Sequence, residues 1–151
     1  MWSFSIHDLN STRNICPNIG VLFDYMHHNH YDEKTLLKIN ELLDNITDEE
    51  IIADGEFAQH PFLHELCHQY QSSFLLLRKV WEKPVFEKYW ENDDYLDKYG
   101  NTALQRLSLC LCTRNSDENN NYFDWIRENM CVIPCDKELN GRCRGQYLIG
   151  K

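Results

Sequence analysis

The sequence predicts an all-α fold in one structural domain. Three observations carry this. Apolar residues recur at three- and four-residue spacing along most of the chain, β-type alternation is weak, and turn signals cut the helical runs into short lengths. The chain has 151 residues, enough to bury roughly two-thirds of its unfolded surface in one domain. Hydrophobic residues make up 42% and charged residues 26%, an ordinary globular balance.

Residues 1–18 show no clear periodicity, and Cys16-Pro17-Asn18 reads as a turn. Ile19, Leu22, Phe23 and Met26 then predict a short helix, ending in His27-His28-Asn29-His30, a run that could bind metal but reads first as a solvated C-terminus where imidazole suits the helix dipole. Asp32 is placed to cap a longer helix with an apolar stripe of Leu36, Leu37, Ile39, Leu42, Leu43 and Ile46. Thr47-Asp48-Glu49-Glu50 is a capping-box pattern opening another helix, with Asp54-Gly55 read as its stop. Residues 61–81 read as a helix pair: Leu63, Leu66, Cys67 and Tyr70, a break at Gln71-Ser72-Ser73, then Phe74, Leu75, Leu77, Arg78 and Trp81. Pro84 interrupts, and a Trp/Tyr-rich acidic stretch runs to Leu96. Asp97-Lys98-Tyr99-Gly100-Asn101 is a strong turn signal. Leu104, Leu107 and Leu111 resume the helical spacing, residues 113–121 read as a polar loop, and Phe123 and Ile126 mark a last short helix before Pro134.

Composition narrows the function. A formal net charge of −9 argues against a nucleic-acid partner, which needs a basic footprint, and suits a basic protein partner or plain solubility. No run approaches the ~18 apolar residues of a membrane span, and the N-terminus lacks a secretory pattern. The odd count of seven cysteines fits a reducing compartment, with Cys67 and Cys110 acting as small hydrophobes in helical patterns. Cys131, Cys135 and Cys143 lack a paired C-x2-C knuckle and read as ordinary thiols.

An internal period organises the second half. Aligning Glu56 to Cys67 with Asp97 to Ser108 superposes an acidic residue, a leucine seven places later (Leu63, Leu104) and a second leucine three places beyond (Leu66, Leu107). Asp97, Gly100, Thr102 and Leu104 in the second unit, and Pro61, Leu63 and His64 in the first, resemble the ankyrin-repeat family, whose unit is a β-turn followed by two helices. In that reading Gly100 turns the hairpin, Thr102 caps a helix, and Leu104 and Leu107 face the neighbouring unit. The resemblance covers residues 54–143, and a third turn begins near Asp136 with Gly141 and no helix after it. The sequence departs from the pattern too: Leu63 and Leu104 lie 41 residues apart against ~33 for a standard unit, Gln105 replaces a histidine, and residues around Pro84 to Asp94 are inserted. In these departures, and in Phe62-Leu63-His64-Glu65-Leu66-Cys67, the chain is similar to short viral inhibitor-of-NF-κB-like ankyrin proteins of polydnaviruses and poxviruses.

The resemblance implies a short, divergent ankyrin-repeat solenoid, with residues 54–151 as repeats and residues 1–53 as an N-terminal helical cap packed on them. It implies a protein-protein interaction module that binds and retains a host Rel/NF-κB-type transcription factor, in the cytoplasm and also the nucleus, without a cofactor. Lys98 and Tyr99 on the turn, and Trp90 and Tyr95 on the insertion, are the expected contact residues, aromatic side chains being common interface anchors. Exposed apolar end faces add an expectation of self-association.

A rival chemistry is written in the same segment. His64-Glu65-Leu66-Cys67-His68 is a literal H-E-x-x-H, which on a helix could hold zinc through His64 and His68 with Glu65 activating water. Gln71 and Phe74 stand where further signature residues of one such class would fall, and nothing marks a third ligand among Glu82, Glu87 and Glu91. The repeat reading instead expects His64 to bond the adjoining turn.

Overall fold

Pro17, preset for a first helical turn, opens α1 (Pro17–Leu22), which tightens into a 3-10 turn over Phe23–Tyr25. The computed structural model describes residues 16–28, 30–113 and 120–149. Residues 1–15, Asn29 of the histidine run and most of the polar loop at 113–121 lie outside that range.

Helix α2 (Glu33–Asp44) is capped by Asp32, whose carboxylate accepts from the Thr35 amide at 2.7 Å. Its core face is Ile39, Leu42 and Leu43, while Leu37 is 69% exposed. Leu36 and Leu37 are adjacent, 100° apart on the helix, so the expected stripe was one residue too wide. Helix α3 (Asp48–Phe57) starts at Thr47, whose hydroxyl accepts from the Glu50 amide at 3.2 Å. The reciprocal arm of the expected capping box is absent. Glu50 instead turns to α1, accepting from the Ile19 amide at 2.8 Å and the Asn18 side chain at 2.9 Å, so one carboxylate terminates a different helix.

Asp54-Gly55 does not stop α3, which runs through both residues to Phe57. The glycine serves packing: a Cβ on Gly55 would meet the Tyr95 ring at 2.7 Å. It follows that the boundary drawn between residues 53 and 54 falls inside a helix. The N-terminal helices and the second half share one hydrophobic core, from Cys16 to Leu148.

Helix α4 (Phe62–His68) and α5 (Phe74–Trp81) form the expected pair. Ser73, fully buried, closes the turn between them by donating to the Leu66 and Gln69 carbonyls. On α5 the buried positions are Leu76, Leu77 and Val80, whereas Leu75 is only partly buried and Arg78 is exposed. Pro84 then starts a 3-10 helix over Pro84–Tyr89. The second helix pair is α6 (Ala103–Thr113) and α7 (Asn120–Met130). α6 lies against α4, the first helix of one pair on the first helix of the other.

The chain closes in a small antiparallel hairpin, β1 (Glu138–Leu139) and β2 (Arg142–Cys143), with Glu138 opposite Cys143. Asn140 and Gly141 both have positive φ, 54° and 82°, the conformation a two-residue Asn-Gly hairpin turn demands. The described residues are thus mainly helical, and none of their helices is long and apolar enough to cross a membrane.

Candidate functional site

The turn at 97–101 is built around a buried carboxylate. Asp97 Oδ1 accepts from the amides of Tyr99 and Asn101, each at 2.9 Å, and Gly100 takes φ 86° to complete the turn. Arg106, one helix turn into α6, donates to Asp97 Oδ2 through Nη2 at 2.7 Å and Nε at 3.0 Å. Burial pushes the Asp97 carboxyl up, but the Asn101 amide and the Arg106 guanidinium outweigh it and hold it below the ordinary carboxylate value. Thr102 caps α6 as expected, its hydroxyl accepting from the Gln105 amide at 3.2 Å. Gln105, read in the sequence as a departure, returns the favour: its Oε1 accepts from the Thr102 amide at 2.8 Å, completing a capping box.

Asn101 ties this turn to its neighbours on both sides. Its carbonyl accepts from His64 Nε2 at 2.8 Å. Its side chain donates to the Gly141 carbonyl at 2.8 Å and accepts from the Cys143 amide at 2.9 Å. α4, the turn and the terminal hairpin are thereby joined in one hydrogen-bonded line.

That line defines the histidine chemistry. A carbonyl can only accept, so His64 carries its proton on Nε2 and presents a bare Nδ1. Burial drives the His64 pKa down to about 4, against the pull of Asn101, so the ring is neutral at physiological pH. Nδ1 is buried with no hydrogen-bond partner. His68, one turn on, faces the Cys110 thiol through Nδ1 at 3.6 Å. Among the described residues no three His, Cys, Asp or Glu side chains converge as a metal-holding set.

Between the turn tip and α4 lies a cavity of about 340 Å³, lined by His60, His64, Glu65, His68, Gln69, Lys98, Tyr99 and Arg106. Lys98, Tyr99, His64, Glu65 and His68, singled out in the sequence for two different functions, therefore sit in one groove. Tyr99 is 41% exposed. Its ring has the Lys98 ammonium 5.2 Å from its centroid and the Arg106 guanidinium at 5.3 Å, an arrangement that fixes an aromatic platform through cation–π attraction. Gly141 backs the ring so closely that a Cβ there would stand 2.9 Å from it. Gln69 donates to Glu65 at 3.1 Å, orienting the one carboxylate lining the groove.

Trp90 and Tyr95 do not join them. Both are buried, each 3% exposed, so neither ring is offered to a partner in this fold. The Trp/Tyr-rich segment folds inward: Trp90 packs edge-on against Trp81 at 5.0 Å, and Phe86 against Phe62 at 6.1 Å. Tyr95 is a structural linchpin. Its hydroxyl donates to Asp54 Oδ2 at 2.7 Å and accepts from the Leu63 amide at 3.3 Å. Asp54 Oδ2 also accepts from the Phe62 amide at 2.8 Å, so this pair caps α4, whose own N-cap is a proline. Burial pushes the Asp54 carboxyl up to about 7 despite these two donors. Sequence reading missed Asp54, Asn101 and Arg106. The first two act over 41 and 40 residues and leave no local signature. Gln105 did leave one, Thr-x-x-Gln.

No family model, curated protein or solved structure matches this chain.

Proposed function

We propose that this chain is a protein-binding module, a short and divergent ankyrin-like solenoid that holds its partner in the groove between the 97–101 turn and α4. The observation that carries this reading is the joining of α4, the turn and the hairpin through Asn101, which makes a rigid backbone presenting Lys98 and Tyr99 at its edge. Two helix pairs stacked through their first helices, a glycine-bearing turn between them and a hairpin turn after the second pair support the same architecture. A rigid support lowers the ordering cost of binding, so a half-exposed aromatic on it makes an efficient anchor. The expected partner class is a host transcription factor of the Rel/NF-κB type, retained in inhibitor fashion. That choice rests on the sequence resemblance and on the acidic net charge, which favours encounter with a basic DNA-binding surface.

The zinc-peptidase reading draws no comparable support. A zinc ligand must offer the metal an imidazole nitrogen with a free lone pair, whereas His64 commits Nε2 to the Asn101 carbonyl and has Nδ1 buried.

Binding of a purified Rel-homology domain tests the proposal. Tyr99→Ala should weaken capture at least fivefold, about 1 kcal/mol, with circular dichroism unchanged. Undiminished capture by the folded variant, or stoichiometric zinc in the purified chain that is lost in His68→Ala, would overturn it.

A further inference from the structure

Two of the seven cysteines stand apart from the rest. Cys135 and Cys143 are both buried, and their sulfurs are 2.8 Å apart. Two thiolates on one zinc, each at ~2.3 Å from the metal, would stand about 3.7 Å from one another. The pair is too close for a shared metal and near the separation of a bond, ~2.0 Å. We propose that Cys135 and Cys143 are a thiol–disulfide modification site, oxidised by a small glutathione-type disulfide to a covalent staple across the C-terminal hairpin.

The rest of the fold holds the two ends of this staple in place. α6 fixes Cys135: its Ser108 carbonyl accepts from the Cys135 amide at 3.3 Å. The 97–101 turn fixes Cys143: Asn101 Oδ1 accepts from its amide at 2.9 Å. Between them the Asn140-Gly141 turn reverses the chain, so the sulfurs meet without rearrangement of either anchor. Leu109 and Tyr147 pack against the pair. Bond formation therefore asks for a small local shift only.

The chemistry balances as an exchange. The Cys135 thiolate attacks one sulfur of the small disulfide and expels one small thiolate, leaving a mixed disulfide. Cys143 gives up its proton to solvent base, attacks the Cys135 sulfur and expels the second small thiolate. Two protein thiols and one small disulfide become one protein disulfide and two small thiols. Burial and the neighbouring Cys135 push the Cys143 thiol up to about 12, so Cys143 stays protonated while the hairpin is closed and loses its proton only as the hairpin opens. Each strand is only two residues long, and opening of so short a hairpin admits the oxidant. The bond then closes behind it. Cys112 and Cys131 are exposed and serve as internal controls, since a solvent-facing thiol without a partner stops at the mixed disulfide.

Equilibrating the full chain in graded ratios of oxidised to reduced glutathione, with acid quench, alkylation and peptide mapping, tests this. A linked pair of peptides containing Cys135 and Cys143 should form at ratios where Cys112 and Cys131 remain mostly reduced. Amide exchange over residues 138–143 should slow at least tenfold on oxidation. Linkage of either cysteine to Cys131, or glutathione persisting on Cys135 or Cys143, overturns the proposal. So does alkylation of both at every ratio. Cys131→Ser must leave the link intact, and Cys143→Ser must abolish it whether or not the hairpin stays folded.

Discussion

Replacing Asn101 by alanine is the sharpest probe of how the second half is held together. The side chain is fully buried, and truncation removes the bond to the Gly141 carbonyl at 2.8 Å and the bond from the Cys143 amide at 2.9 Å. The Cys143 amide is then left buried without a partner, which costs about 1–3 kcal/mol. The Gly141 carbonyl is partly exposed and recovers water, so its loss adds about 0.5–1.5 kcal/mol. The sum, about 1.5–4.5 kcal/mol, is a large fraction of the ~5–15 kcal/mol that holds a domain folded. The assay is a urea titration followed by tryptophan fluorescence, with amide exchange measured at Cys143 and Lys98→Ala as the exposed control in the same turn. The Cys143 amide should lose protection out of proportion to the global change. A loss under about 0.5 kcal/mol, or a Cys143 amide that stays protected, refutes the bridging role.

Gly55→Ala should destabilise by about 1–3 kcal/mol even though alanine is the better helix former, because the new Cβ meets a buried ring that cannot swing away. A neutral or stabilising result in the same titration would mean that Tyr95 packs elsewhere. Asp54 gives a pH dependence. Its folded pKa is raised to about 7 from the ordinary 3.8, so its contribution is fully present below pH ~4 and is lost as pH rises through ~7. Measured against Asp54→Asn, the parent should lose about 1–3 kcal/mol of stability between pH 5 and pH 8. The comparison cancels His64, whose lowered pKa acts in the opposite direction. A difference that stays flat across that window would show Asp54 ionised throughout, held by its two donors.

Much of the framework was readable because it is local. Helix starts at Asp32, Thr47 and Thr102 follow from side chains that reach only three residues on. The 97–101 turn follows from Gly100 and its neighbours. What sequence could not read was direction. The Trp/Tyr-rich insertion carries no periodicity to say which face it shows, and its rings turned inward, where Trp90 found Trp81 and Tyr95 found Asp54. Gly55 looked like a terminator because a close approach to a residue forty positions away has no trace in its own neighbourhood. In the candidate groove, motif reading found Lys98, Tyr99 and the α4 histidines but assigned them to rival functions, since nothing in the one-dimensional order puts the turn tip beside that helix. Arg106, which steadies Tyr99 from below, had no signal beyond its charge.

The Asp54–Tyr95 bond has a consequence for how the protein is made. A chain leaving the ribosome N-terminus first completes α3 and α4 well before residue 95 emerges. Until then Asp54 meets only the Phe62 amide, Gly55 faces an open notch, and water must fill the place of the tyrosine ring. The early helices are therefore a waiting scaffold, and the arrival of a single phenol locks them. A nascent chain stalled before Tyr95 should remain protease-sensitive across residues 48–68, whereas one stalled some thirty residues beyond it, enough to clear the exit tunnel, should resist.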